Sequence, residues 1–94
     1  MAIRLIVTIN AKPGKGSDLA KAYPARCAQI MKEPGCVHFE AFQSVVNPDK
    51  IVLLEHWSDQ AALEVHAKLQ RPQLLPELRG GPGEVERYEY NRTR

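Results

Sequence analysis

The spacing of apolar residues changes several times along the chain, and each change marks an element. Residues 3–10, Ile-Arg-Leu-Ile-Val-Thr-Ile-Asn, are rich in β-branched side chains and predict a first strand. Pro13, Gly14 and Gly16 break it. Ser17 is placed to cap a helix in which Leu19, Tyr23, Cys27, Ile30 and Met31 recur at steps of three and four. Pro24 falls inside that pattern. It lacks an N–H and crowds the turn before it, so a kink or restart is expected near Tyr23–Pro24. Lys-Glu-Pro-Gly-Cys (32–36) ends the helix with a turn, and residues 37–46 predict a second strand. Asn47-Pro48-Asp49-Lys50 reads as a hairpin turn with Pro48 at its first corner. Residues 51–57 predict a third strand. Ser58 is a natural N-cap for a second helix running to about Gln70, with Glu64 and Lys68 paired on its outer face. Ala62, Leu63, His66 and Leu69 form the inner stripe of that helix. Residues 73–78 allow one more short helical turn, 80–83 a Gly-rich connector, and 84–91 a fourth strand alternating around Tyr88 and Tyr90.

The order β-α-β-β-α-β predicts an α+β fold of ferredoxin-like type, a four-stranded antiparallel sheet with both helices on one face. Its second face would carry half of the apolar strand residues into water, a patch too large for a comfortable monomer. Pairing two such sheets around a twofold axis covers it, so a homodimer, a dimeric α+β barrel, is expected. Residues 1–94 form one domain on this reading, with 91–94 a flexible tail.

Composition narrows the classes. A hydrophobic content of 44% and a charged content of 26% are ordinary for a folded domain. The net charge of +2 is spread along the chain with no basic patch interleaved with aromatics, which argues against nucleic acid. No apolar run approaches the roughly 18 residues needed to span a bilayer, so no membrane partner is expected. The apolar start continues as a strand and has no small-residue cleavage site. Cys27 and Cys36 form neither a disulfide framework nor a metal-type pair; free thiols in a cytoplasmic protein are the simpler reading. No metal cluster and no Gly-rich dinucleotide fingerprint is present, and no cofactor is expected.

Three phrases, in order, resemble a known family: Glu33-Pro34-Gly35-Cys36, Asn47-Pro48-Asp49, and Glu55-His56-Trp57-Ser58-Asp59 continuing through Ala62-Leu63 to His66. Together with Ala11–Leu19 and the closing Arg87-Tyr88-Glu89-Tyr90, they make nearly the whole chain similar to the antibiotic biosynthesis monooxygenases. These are small dimeric α+β barrels that include quinol monooxygenases. The resemblance implies oxidation of a small phenolic or quinol-like aromatic compound by molecular oxygen, without metal, flavin or haem. An electron-rich substrate reacts with oxygen once deprotonated, and the protein supplies a dry pocket and a proton acceptor. Relatives also include a cofactor-free isomerase of a hydroxyketone, and a non-catalytic small-molecule-binding or stress-response dimer is a third reading. Where many relatives carry a second histidine, this chain has Gln73. Positions used by haem-degrading relatives are occupied by Val7, His66 and a residue near Pro76, which does not imply haem degradation.

His66 is the expected proton acceptor, because imidazole exchanges protons near neutral pH; its alternative is a structural hydrogen bond to a backbone carbonyl or to Glu55. Glu55 and Trp57 share one strand face, and the catalytic reading has Glu55 orienting His66 while Trp57 forms an aromatic wall. Core packing is the alternative for Trp57. His56 points to the opposite face and reads as a dimer-interface residue. Either Phe39 or Phe42, on opposite faces of the second strand, lines the pocket. Tyr23 and Arg26, beside the Pro24 break, could offer a phenol and a cation to an anionic substrate, against core and solvent roles respectively. Asn10 ends the first strand, where an amide serves either oxyanion stabilisation or a turn. Cys36 reads as a small buried residue.

Overall fold

Strand alternation and helical spacing produce the expected elements in the computed structural model, which describes residues 1–90. They are β1 (Ala2–Asn10), α1 (Gly16–Ala20), α2 (Tyr23–Met31), β2 (Cys36–Gln43), β3 (Lys50–Trp57), α3 (Gln60–Lys68), a single 3-10 turn (Pro76–Leu78) and β4 (Glu84–Tyr90). The strands form one antiparallel sheet in the order β2-β3-β1-β4, with the helices on one face, a ferredoxin-like α+β fold. The proposed tail at 91–94, and the last residue of the expected fourth strand, lie outside the described residues. Among the described residues no helix is long and apolar enough to cross a membrane.

Register decides what each face carries. Glu55 pairs with Leu5 on one side and Phe39 on the other, and Trp57 pairs with Ile3 and Cys36. Those side chains therefore stand in rows beneath the helices. One residue over, Leu54 lies between Ile6 and Glu40, and Val52 between Thr8 and Phe42, on the face the helices leave open. Beneath the helices, Ile3, Ile9, Ile51, Leu53 and Trp57 pack against Leu19 of α1 and Tyr23 and Ile30 of α2. Burial of these apolar surfaces is the main stabilising term of a domain this small.

The first helix does restart at Tyr23–Pro24: α1 ends at Ala20, and Pro24 takes an early position in α2, where a missing N–H costs nothing. Ser17 is not its cap, contrary to expectation. The N-cap position is Lys15, which has no side-chain capping bond, and the free N–H groups are satisfied from a distant loop. The Asp49 carboxylate accepts from Gly14 N–H and Gly16 N–H, each at 3.0 Å. Glycine is required at 16 because a Cβ there would overlap the Pro48 carbonyl. The Asn47-Pro48-Asp49 turn, closed by Lys50 N–H to Asn47 O at 2.9 Å, thus caps a helix as well as joining two strands.

The cap of α3 also differs from expectation. Ser58 N–H still donates to Gly35 O, so the chain has not left its strand-like path, and Asp59 is the cap, accepting from Ala62 N–H at 2.8 Å. The helix stops at Lys68 rather than Gln70. Leu69 and Gln70 close a tighter last turn on His66 and Ala67, and Gln70 adopts a left-handed φ of 48°. Leu69 consequently turns outward and is exposed, so it leaves the inner stripe. Glu64 and Lys68 do not form an ion pair.

Replacing Asp49 by Ala should lower stability by about 1.5–3 kcal/mol, since two charge-assisted bonds to backbone N–H groups are lost. Urea unfolding followed by circular dichroism reads the change.

Candidate functional site

A close approach of two backbones begins the site. After α2 the chain turns at Pro34–Gly35, where Gly35 has φ +82° and lies so near α3 that a Cβ would overlap the Cβ of Ala62. Only glycine satisfies both conditions. The contact brings Glu33, two residues before Gly35, against His66, one helical turn beyond Ala62. Glu33 Oε1 lies 2.8 Å from His66 Nδ1, and Oε2 accepts from Arg71 Nη2 at 2.7 Å and Nε at 3.1 Å. The Glu33 side chain is only 10% exposed, so this carboxylate is largely out of water and is satisfied by these partners.

In a neutral ring, a carboxylate at Nδ1 favours the tautomer with its proton there, which leaves the lone pair on Nε2. The ring is held from below as well. Its centroid lies 4.6 Å from that of Trp57 and 6.3 Å from that of Phe39.

Beside His66 opens a cavity of about 320 Å³, within the range of small-molecule sites. The sheet supplies its floor through Phe39, Leu53 and Glu55, α2 one wall through Tyr23 and Arg26, and α3 with the following segment the other through His66 and Arg71. Glu55 is buried, and its Oε1 accepts from Trp57 Nε1 at 2.9 Å. Burial holds this carboxyl above the usual glutamate range; the indole hydrogen bond and nearby His66 pull the other way with less effect. Burial likewise raises Tyr23, which stays a neutral donor, and the two cysteines, Cys36 to about 11, so neither is a ready thiolate nucleophile.

Of the residues picked from sequence, His66, Glu55, Phe39, Tyr23 and Arg26 meet in this cavity. Arg26 is half-buried rather than solvated, and its Nη1 donates to Pro72 O at 3.0 Å. For Trp57, Phe42 and Asn10 the structure takes the alternative that keeps them out of the cavity. Trp57 is fully buried and does not line the cavity; it is the support under the imidazole and the donor to Glu55. Phe42 stands on the open sheet face by strand parity, where it is 45% exposed. Asn10 closes the far end of the sheet, its Nδ2 donating to Pro82 O at 3.1 Å. Glu55 is also not the group that orients His66: its Oε1 accepts from Trp57, and the carboxylate at His66 Nδ1 is that of Glu33. Cys36 is half-buried rather than buried. Among the described residues, no three His, Cys, Asp or Glu side chains are placed to hold a metal.

Glu33, Arg71 and Arg79 escaped the sequence reading. For Glu33 a signal existed: an acid just beyond the C-terminal end of a helix faces the negative end of the helix dipole, which calls for a cationic or N–H partner. The arginines carried no such mark.

The chain matches the antibiotic biosynthesis monooxygenase family over residues 2–72 and belongs to it. Among solved structures, a conserved protein from Methanosarcina mazei Go1 is 25% identical and superposes with a TM-score of 0.83, covering 97% of this chain and 94% of that one. PA3566 from Pseudomonas aeruginosa is also 25% identical, with a TM-score of 0.78 and coverage of 97% and 95%. A Bacteroides thetaiotaomicron protein of unknown function, described as a possible oxidoreductase, is 22% identical, with a TM-score of 0.77 and coverage of 95% and 97%. No match was found among curated proteins.

Because folded Glu55 holds its proton more tightly than the unfolded chain does, its contribution to stability is complete below the ordinary carboxyl pKa of about 4.3. It is lost as pH rises through the raised folded value. Glu55→Gln keeps an acceptor for the indole and removes the titration. The variant should match the wild type at low pH and exceed it in stability at neutral pH, as thermal melts across pH would register.

Proposed function

We propose that the protein is a cofactor-independent monooxygenase that oxidises a small phenolic or quinol-like compound with molecular oxygen. The observation supporting this reading is that a histidine bonded through Nδ1 to a carboxylate and a second, buried carboxyl open into one cavity with Phe39 in its floor. His66 Nε2 takes the phenolic proton, and Glu33 keeps Nδ1–H engaged so that the lone pair faces substrate. The phenolate so formed passes electron density to oxygen. Oxygen bonds to a hydrogen-bearing ring carbon ortho or para to the phenolate as a hydroperoxide. The O–O bond then breaks as that carbon loses its proton, so one oxygen stays on the ring, now a quinone. The other leaves as water with the phenolic proton returned by His66 and a proton from Glu55, which the ring C–H proton restores. Glu55 supplies the proton that the departing oxygen needs, its raised pKa suiting it to donate. Phe39 is the flat surface against which the ring lies.

The reading includes a homodimer. Ile6, Val52 and Leu54, with the exposed Phe42, make an apolar surface on the sheet face opposite the helices, and a copy of the chain packed there would cover it. A cytoplasmic location is part of the same reading, supported by the free thiols of Cys27 and Cys36. Leu54→Lys should convert a dimer into monomer in sedimentation equilibrium; a wild type that sediments as a monomer would overturn the dimer.

Oxygen-electrode assays with a panel of quinols and phenols test the activity. His66→Ala should lower kcat/KM by about 10²–10⁴-fold. Uptake that is equal in the variant, or absent with every substrate, would sink the assignment. Turnover of a hydroxyketone under strict anaerobiosis would move the protein to isomerisation.

A further inference from the structure

The cavity has two chemically different ends. At one end are His66, held from behind by Glu33, and the carboxyl of Glu55. At the other are Tyr23, Arg26 and Arg79, the two guanidiniums near enough to the Tyr23 phenol to oppose the effect of its burial. Both arginines line the cavity and both are half-buried.

Their bonding differs from that of Arg71, whose charge is cancelled by Glu33. Arg26 has only a carbonyl, Pro72 O, as partner. Arg79 makes no side-chain hydrogen bond or ion pair with any described residue. Its backbone is nevertheless firmly held. Arg79 bridges Ala11 at the end of β1, Lys12 N–H bonds Leu78 O at 2.8 Å, and Gly80 N–H bonds Asn10 O at 2.7 Å. The Tyr23 hydroxyl, on a residue only 4% exposed, also has no partner among the described residues. Half-desolvated cations without a counter-charge are costly, and guanidiniums and a protonated phenol offer donors where a ligand must supply acceptors. A carboxylate matches that set, since its two oxygens can take a guanidinium fork and a phenol O–H together.

We propose that Tyr23, Arg26 and Arg79 form a carboxylate-binding subsite, so that the compound taken up is an aromatic acid bearing its reactive hydroxyl toward His66. The class of compound rests on the oxidation reading given above; the subsite is a matter of binding alone. Apolar Val7, Ile30 and Leu53 line the same cavity and suit the ring that joins carboxylate and hydroxyl.

Calorimetric titration under nitrogen, with 2,5-dihydroxybenzoate and its neutral isostere 2,5-dihydroxybenzamide, tests the subsite without oxidation. Wild type should bind the acid at least about tenfold more tightly than the amide. Arg79→Gln should abolish that preference, and Arg79→Lys should retain part of it. Equal affinity for the two compounds, no binding of either, or a preference that survives Arg79→Gln would overturn the proposal. Should Arg79→Gln lose amide binding too, the Arg79→Lys ratio decides: a preference retained there supports the subsite, a lost one overturns it. Oxygen uptake separates the two readings. Selective binding of the acid without oxygen consumption refutes the oxidation and leaves the subsite standing, whereas oxidation of quinols with no preference for the acid refutes the subsite alone.

Discussion

The Glu33 carboxylate is the interaction on which the rest of the site depends. It joins residues 33 and 38 positions apart, accepting from the imidazole of His66 and from the guanidinium of Arg71. Its net contribution to stability is small, because a largely desolvated carboxylate gives back much of what its partners return. Its effect is on arrangement. One acceptor oxygen sets which imidazole nitrogen carries the proton. The other keeps the Arg71 guanidinium against Glu33 and thereby fixes the segment that follows α3 over the cavity. Without this carboxylate, the cavity would hold another unneutralised cation and a histidine of undefined tautomer.

The carboxylate reaches its partners only because the α2–β2 turn can press against α3. Gly35 permits that approach by its left-handed φ and its missing side chain. From there the geometry is transmitted by strand parity. Trp57 and Glu55 lie on the same face of β3, so the indole that supports His66 also donates to the carboxyl beside it. A shift of one residue in the β3 register would send both to the open face together. The site therefore has the form of a shelf: buried aromatic below, imidazole and carboxyl at its edge, and two arginines from separate segments in the same cavity.

Much of this architecture was legible in the chain. Alternating β-branched runs, a Pro inside a helical pattern and the Pro-Gly and Asn-Pro turns predicted the element order, the face of Glu55 and Trp57, and the break at Tyr23–Pro24. The choice of caps was not legible. Serine at 17 and 58 has the right chemistry, yet Ser58 N–H is still committed to Gly35 O and the work at α1 is done by Asp49 from another loop. Local propensity describes what a residue can do; whether its backbone is free to do it depends on partners far along the chain.

The same division holds for the site. Sequence determined which residues could carry the chemistry and, through the period of two along β3, which of them shared a face, because those properties are local. Tertiary structure decided the pairings. It made Glu33 rather than Glu55 the partner of His66, turned Trp57 from cavity wall into buried support, sent Phe42 to the open face, and brought Arg79 to Tyr23. Each of these outcomes rests on a contact between segments tens of residues apart, and side-chain spacing along one element contains no information about which distant element will lie across from it.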